Sequence, residues 1–227
     1  MKTSSDLINN DVPAVGQLGD DDCVSFDIAP NADVKIAFLG NSITRHGAAE
    51  SLGWHGDHGM AASRKENDYV HRLVVRVEQT GKRVSYCVAN LSEWERAGDL
   101  SMLKSRYAAV KSFGANIVIV RLGENARLTE RLEEFESRYA ELVEYFSADA
   151  ARTVLTDLFW EYAPFDGFVK RFAEEKDCAF VKIHDLGNDD GMKATGLFAH
   201  AGVAAHPGDK GMEEIAKRIF DAIRGII

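Results

Sequence analysis

Three short motifs carry side chains that could perform nucleophilic catalysis. Ser42 lies in the segment GNSIT, Asn125 closes the segment GEN, and His206 opens the segment HPGDKG. A serine beside turn amides suits a nucleophile, an asparagine amide suits an oxyanion donor, and a histidine before proline suits a general base. Each motif alone is more typical of a turn or a helix cap, so only their combination indicates an active site.

The apolar patterning predicts the elements that would position these motifs. Short β-rich runs, apolar on both faces, predict strands at 34–39, 83–89, 116–122, 153–159 and 178–183. Apolar stripes at helical spacing predict helices from Tyr69 to Val77, Leu100 to Phe113, Leu132 to Phe146 and Met212 to Ile223, with Asp99 as an N-cap and Gly114 as a stop. Alternating strands and helices predict a parallel sheet in a three-layer α/β sandwich.

The chain divides into two parts of different character. Residues 1–33 are polar and predict an N-terminal extension with a possible short strand at 24–28. Residues 34–227 predict a single domain, because no repeat, low-complexity tract or linker interrupts the alternating pattern.

In a parallel sheet, chemistry belongs at the carboxyl ends of the strands. Ser42 follows the first predicted strand, Asn125 follows the third, and His206 precedes the C-terminal helix. Motifs in this order and context resemble the SGNH, or GDSL-like, hydrolases over about residues 34–225. The resemblance implies a flavodoxin-like sandwich with a five-stranded parallel sheet in the order 2-1-3-4-5.

The same resemblance implies a serine esterase that works through an acyl-enzyme. Ser42 would attack the ester carbonyl, and His206 would take its proton and return it to the leaving group. The backbone N–H of Ser42 and the side chain of Asn125 would stabilise the oxyanion. We expect substrates with small acyl groups, such as O-acetyl esters of carbohydrates, and neither a metal nor another cofactor.

One departure from the family pattern concerns the acid that orients the histidine. The family usually carries an aspartate three residues before the histidine, and Val203 stands there in this chain. A Ser-His dyad, a backbone carbonyl or a displaced acid could take over that role. The candidate acids are Glu95, Glu124 and Asp209.

A second departure lies in the loop after the second predicted strand. The family has a glycine there whose N–H joins the oxyanion hole, and Ser92 or Glu95 takes its place in this chain. A backbone N–H survives any side chain except proline, so the expected third donor is the N–H of Glu95 or Ser92. The Glu95 carboxylate would repel an anion there unless it turns away or is paired.

Aromatic and histidine side chains near these loops predict a substrate pocket. The predicted wall residues are Trp54, His55, Trp94, Trp160 and His200. Trp54 and His55 belong to the Gly-rich segment 45–62, whose length is typical of a binding loop or lid. Its His55, Asp57 and His58 lack the spacing of a metal site, so we interpret the segment as pocket wall.

Two other functions stay open on the sequence. The missing aspartate keeps open a catalytically weak or inactive carbohydrate- or ligand-binding protein on the same fold. A nucleotide-binding protein is the second alternative, although GNSITRHG matches neither of the glycine-rich phosphate motifs.

The composition argues against several classes of partner. The chain has 27 Lys and Arg against 36 Asp and Glu, a net charge of −9, and no basic cluster suited to nucleic acid. No apolar run approaches the about 20 residues of a membrane span, and MKTSSDLINN lacks the apolar block of a signal peptide. We therefore expect no nucleic-acid or membrane partner, and a cytoplasmic location unless a leader has been removed.

Overall fold

The sheet at the centre of the molecule is built from short apolar strands. The computed structural model describes residues 23–126 and 131–227, and six strands within them form one sheet. The strands are β1 (Val24–Asp27), β2 (Val34–Gly40), β3 (Val84–Asn90), β4 (Ile117–Arg121), β5 (Arg152–Thr156) and β6 (Ala179–Val181). Every residue of β4 is buried, as expected for a strand covered by helices on both faces.

Five of the strands run parallel, and their carboxyl ends meet at one edge. The order across the sheet is β1-β3-β2-β4-β5-β6, so β2 has a parallel neighbour on each side. Gly40 at the end of β2 lies opposite both Asn90 of β3 and Arg121 of β4. This register places the loops that follow the three strands next to one another.

The sheet differs from the predicted one at β1. The sequence predicts five parallel strands, whereas the sheet has six and is mixed. β1 pairs antiparallel with β3, from Val24 opposite Ala89 to Asp27 opposite Tyr86. β1 falls within the segment 1–33, of which residues 1–22 lie outside the described residues.

Helices of very different lengths connect the strands. They are α1 (Tyr69–Glu78), α2 (Ser92–Ala97), α3 (Leu100–Arg106), α4 (Ala108–Ser112), α5 (Leu132–Ser147), α6 (Ala163–Glu175), α7 (His184–Gly187), α8 (Ala201–Ala204) and α9 (Asp209–Ile223). Asp99 caps α3 as predicted, because its side chain accepts a hydrogen bond from the N–H of Met102. The helix predicted from Leu100 to Phe113 is divided at Tyr107, whose hydroxyl donates to the carbonyl of Asn90.

Apolar side chains fill both faces of the sheet. On one face Ile36, Phe38 and Ile119 pack against α1 and α9, and on the other Leu39, Val118 and Val120 pack against α3 to α6. The molecule is therefore layered as helix, sheet and helix. None of the helices in the described ranges is long and apolar enough to cross a membrane.

Candidate active site

The turn after β2 presents Ser42 at the carboxyl edge of the sheet. Glycine is needed at position 40, because a Cβ there would lie 1.8 Å from Oγ1 of Thr44. The turn closes through hydrogen bonds from the N–H groups of Thr44 and Arg45 to the carbonyl of Asn41. The backbone N–H of Ser42 has no hydrogen-bond acceptor among the described residues, so it is available to a ligand.

Ser42 and His206, 164 residues apart in the chain, are hydrogen-bonded. Oγ of Ser42 lies 2.8 Å from Nε2 of His206, and Nδ1 of His206 lies 2.7 Å from the carbonyl oxygen of Gly202. A carbonyl oxygen only accepts, so Nδ1 carries the proton and the lone pair of Nε2 faces the serine hydroxyl. This is the tautomer that can receive the serine proton.

Burial keeps the imidazole of His206 neutral. Burial lowers the pKa of His206 to about 4, the hydrogen bond to the Gly202 carbonyl opposes this, and the positive charge of Arg121 lowers it further. The ring of Trp160 packs edge-on against the imidazole, with ring centroids 4.9 Å apart. His206 is therefore an unprotonated base above about pH 5.

None of the three candidate acids is hydrogen-bonded to His206. Asp209 accepts hydrogen bonds from Ser63 and Asn67, while Glu95 and Glu124 belong to a separate buried network described below. Within the described residues, the group that orients the imidazole is the carbonyl of Gly202. This resolves the alternatives left open by the sequence in favour of the backbone carbonyl.

Val203 does not stand in for the missing aspartate either. Its side chain is 1% exposed and packs in an apolar cluster with Trp54, Met60 and Phe198. Position 203 thus faces the interior, and a carboxylate there would be buried without a partner.

Val203→Asp is therefore expected to destabilise the fold. We expect the free energy of unfolding at pH 7 to fall by about 3 kcal/mol, because an unpartnered buried polar group costs about 1–3 kcal/mol and a charged one more. Burial raises the pKa of such a carboxyl, so the loss should grow as pH rises from 4 to 7. Urea unfolding at both pH values measures it, with Val203→Thr as the uncharged control of similar shape. Unchanged stability would show instead that residue 203 does not face the interior.

The turn after β4 presents Asn125 beside Ser42's strand. Gly123 has φ = 133°, and a Cβ there would lie 2.4 Å from the ring of Phe165, so the turn requires glycine. Nδ2 of Asn125 donates to Oε2 of Glu95 at 2.5 Å. An amide nitrogen carries two protons, which leaves the second one for a ligand.

The prediction that the backbone N–H of Glu95 or Ser92 is a third oxyanion donor is wrong. Glu95 lies inside α2, and its N–H donates to the carbonyl of Leu91 at 2.9 Å. The N–H of Ser92 donates to Oδ1 of Asn90. Neither candidate for the third donor is free, because the loop after β3 winds into a helix. The donors that remain available are the N–H of Ser42 and the side chain of Asn125.

A buried polar network lies beneath these groups. The guanidinium of Arg121 donates to both carboxylate oxygens of Glu124 and to Oδ1 of Asn41. Nδ2 of Asn41 donates to Glu124 at 2.6 Å and to Glu95 at 3.1 Å. Asn41, Glu95 and Arg121 are 0% exposed. The sequence interpretation missed Arg121 and Asn41, although an arginine ending an apolar strand three residues before a glutamate is a signal of buried pairing.

Comparison with known proteins identifies the fold. No protein-family model matches the chain, and no curated protein matches it in sequence. The esterase EstA from Pseudoalteromonas sp. superposes with a TM-score of 0.60 at 17% identity, over 85% of this chain and 98% of that one. Axe2, an acetylxylan esterase from Geobacillus stearothermophilus, superposes with a TM-score of 0.57 at 20% identity, over 85% and 94%. The chain has the fold of these esterases.

A third structure extends the likeness beyond those two. LAE5, an alpha/beta hydrolase enzyme from the metagenome of Lake Arreo, superposes with a TM-score of 0.57 at 19% identity, over 86% of this chain and 97% of that one. The likeness at these identities is one of fold.

Two of the predicted wall residues are structural in this esterase fold. Trp54 is 0% exposed, packs on Phe198, and donates its indole N–H to the carbonyl of His46. Trp94 is 1% exposed, packs on Phe135, and donates to the carbonyl of Asp99. The prediction that these side chains line a pocket is wrong, because each is buried with its polar atom satisfied.

The other three predicted wall residues differ in position. Trp160 is partly buried and lies against His206, so it is placed beside the candidate site. His200 is exposed and accepts a hydrogen bond from the N–H of Val203 as the N-cap of α8. His55 is partly buried in the segment 45–62.

Side chains of the segment 45–62 form hydrogen bonds within the segment. Asp57 accepts two hydrogen bonds from Arg45, at 2.8 and 3.2 Å, and His58 bonds to the carbonyl of Ala62. Across the parts of the chain that the structure describes, no three His, Cys, Asp or Glu side chains lie together in a way that could hold a metal ion.

Proposed function

We propose that this protein is a serine ester hydrolase in which Ser42 is the nucleophile and His206 the general base. The observation that carries the proposal is the 2.8 Å contact between Oγ of Ser42 and Nε2 of His206. The hydrogen bond from Nδ1 of His206 to the carbonyl of Gly202 fixes the tautomer in which Nε2 can accept the serine proton. The fold shared with EstA and Axe2 supports the same conclusion.

The first half of the reaction transfers the acyl group to the enzyme. Oγ of Ser42 attacks the ester carbonyl while its proton moves to Nε2 of His206. The negative charge develops on the former carbonyl oxygen, where the N–H of Ser42 and Nδ2 of Asn125 can donate to it. The tetrahedral intermediate collapses, the alcohol leaves with the proton from His206, and the acyl group stays on Ser42.

The second half returns the enzyme to its starting state. Water loses a proton to Nε2 of His206 and attacks the acyl carbonyl, and the proton then goes back to Oγ as the carboxylic acid leaves. The Gly202 carbonyl stabilises the transient imidazolium through its dipole, where the family uses a carboxylate. A dipole stabilises a cation less than a full charge does, which is consistent with the low pKa of His206.

For the substrate, we propose esters with small acyl groups, including O-acetyl groups on carbohydrates. Axe2 is an acetylxylan esterase, and structures of its catalytic serine and histidine mutants are among the similar structures. Trp160 beside His206 provides an aromatic surface on which a sugar ring could pack.

A non-catalytic binding protein on the same fold is the second candidate. The absence of a carboxylate at position 203 favours it. The geometry weighs against it, because a pure binding site would not need the histidine tautomer and hydroxyl contact seen here.

Covalent labelling of Ser42 tests the proposal. A 4-nitrophenyl phosphonate ester should react stoichiometrically, since Oγ attacks phosphorus, 4-nitrophenolate leaves, and the serine proton passes to His206. Mass spectrometry should then find the adduct on Ser42 within the tryptic peptide 36–45. His206→Ala should slow labelling by roughly 10²-fold or more, because the base is gone. No adduct, or an adduct at another residue, would favour the binding protein.

A further inference from the structure

In the loop after β3, where the resemblance implies an oxyanion-hole glycine, the N–H groups of Ser92 and Glu95 are both bonded within the chain. We infer that Glu95 is a positioning residue of the proposed esterase, whose ionised side chain orients Asn125 and the Gly123 turn so that the oxyanion donor is preorganised. The inference rests on the proposed function. The backbone of the loop after β3 supplies no oxyanion donor at Ser92 or Glu95, and the side chain of Glu95 instead orients the donor Asn125.

The hydrogen bonds of Glu95 link three loops at the edge of the sheet. Oε1 accepts from the N–H of Gly123 at 2.5 Å and from Nδ2 of Asn41 at 3.1 Å. Oε2 accepts from Nδ2 of Asn125 at 2.5 Å. One carboxylate thus connects the residue before Ser42 with both ends of the Gly123 to Asn125 turn.

The contact with Asn125 decides which amide atom faces the reacting ester. An ionised carboxylate only accepts, so it draws the NH₂ end of Asn125 toward itself and leaves the second amide proton for the oxyanion. A group that could donate would instead attract Oδ1 of Asn125, turn the amide over and remove that donor. Charge-assisted hydrogen bonds of this kind are stronger than neutral ones, so the orientation is well determined.

The charges around Glu95 place its titration in the working pH range. Burial raises the pKa of Glu95 to about 7, and the like charge of Glu124 adds to this, while the hydrogen bonds from Asn125, Gly123 and Asn41 oppose it. Positive groups near it in the described residues include Arg121, which pairs with Glu124, and Arg138 of α5, which donates to the backbone carbonyl of Glu95.

As the pH is lowered, Glu95 is therefore protonated before His206, and its protonation disturbs the oxyanion donor Asn125. A protonated Glu95 would present a hydroxyl among three N–H donors, so the arrangement around Asn125 must change. The acid limb of kcat/KM should accordingly lie near pH 7, although the pKa of His206 is about 4. A site limited by His206 alone would keep its activity down to about pH 5.

Two variants of Glu95 test this role. Glu95→Gln keeps the shape but adds a donor, and should lower kcat for 4-nitrophenyl acetate about tenfold with KM changed less than about twofold, since the lost interaction is specific to the transition state. Its acid limb near pH 7 should disappear. Glu95→Asp keeps an ionisable acceptor, so it should retain an acid limb and lose less kcat than Glu95→Gln does.

Asp166→Asn is the matched control for removing a buried carboxylate. Asp166 accepts hydrogen bonds from the N–H groups of Leu158 and Tyr162 and does not contact Asn125. This variant should leave the acid limb in place, whatever its effect on stability. A wild-type pH profile and kcat in Glu95→Gln, or equal losses in the Gln and Asp variants, would overturn the inference.

A readout without substrate separates this inference from the proposed function. In ¹⁵N spectra of the full chain, the side-chain amide of Asn125 and the backbone N–H of Gly123 should shift with a midpoint near pH 7. The shift should be absent in Glu95→Gln. If the wild-type protein does not hydrolyse the ester but shows this titration, the proposed function fails and the link from Glu95 to Asn125 stands. If neither resonance titrates, the inference fails even when the protein is an active esterase.

Discussion

Ser42→Ala is expected to lower kcat for a short-chain acetyl ester by about 10⁴-fold or more, to the level of contaminating activity, because the covalent step cannot occur without Oγ. The imidazole of His206 would remain oriented by Gly202, so residual hydrolysis could come only from water acting directly on bound ester. Release of 4-nitrophenol from its acetate, followed over several enzyme concentrations, measures the effect.

Ser101→Ala, which removes the hydroxyl of a surface serine, is the control for this variant. Ser101 is exposed and its hydroxyl donates to Asp99 at the start of α3, outside the proposed site, so Ser101→Ala should keep wild-type kcat. Far-UV circular dichroism should show both variants folded. Full activity in a purified, folded Ser42→Ala protein would exclude Ser42 as the nucleophile.

Arg121→Met is expected to have the largest effect on stability. Arg121 is 0% exposed, and its loss leaves the buried carboxylate of Glu124 without the guanidinium that pairs with it. Removing one partner of a buried ion pair costs about 3–5 kcal/mol, although methionine of similar volume fills the space. Chemical unfolding at pH 7 should show a decrease of that size in the free energy of unfolding.

The effect of Arg121→Met should depend on pH in a definite direction. The pKa of Glu95 is raised in the folded protein from the usual 4.5 to about 7, so the folded state binds its proton more tightly than the unfolded state does. Stability must then fall as pH rises between these values, and loss of the guanidinium should steepen that fall. Unfolding at pH 5 and pH 8 measures the difference.

Arg83→Met is the control for charge removal alone. Its ion pair with Asp33 is exposed and screened by solvent, so this variant should keep the wild-type free energy of unfolding at either pH. A decrease below about 1 kcal/mol for Arg121→Met as well would mean that the buried network does not depend on its arginine.

The place of Ser42 and Asn125 at one edge of the sheet could be predicted because it follows from chain order. Residues directly after parallel strands meet at one edge of the sheet. The positions of Ser42 and Asn125 could therefore be predicted once the strands before them were assigned correctly. The prediction for His206 comes from its HPGDKG motif, its place before the last helix and the family resemblance. The group that accepts from Nδ1 of that histidine could not be predicted, because Gly202 belongs to a short helical turn, α8, with no periodic pattern of its own.

The errors in the pocket have a different physical origin. Trp54 and Trp94 lie in segments without clear periodicity, where a tryptophan can equally well bind a ligand or fill the core. Their burial depends on distant partners, Phe198 and Phe135, which local sequence does not identify. The prediction that the N–H of Glu95 is an oxyanion donor failed for a related reason. The six-residue helix α2 is too short to show an apolar stripe in the sequence, yet its first turn takes up that N–H in a hydrogen bond to Leu91.

Contacts between charged groups were the least predictable part. Asn41, Glu95 and Arg121 come from three separate elements, and their network depends on the register that aligns Gly40 with Asn90 and Arg121. Apolar patterns predict which strands are buried but contain no information on which polar side chains are buried with them.

The edge strand β1 has a consequence for how the protein behaves in concentrated solution. Without it, the seven-residue strand β3, apolar on both faces, would offer a row of open N–H and C=O groups to a second chain. β1 covers that row and is itself only four residues long, and β6 at the opposite margin has three. Short margins give a neighbouring molecule few hydrogen bonds to form, so β1 disfavours intermolecular sheet growth and aggregation.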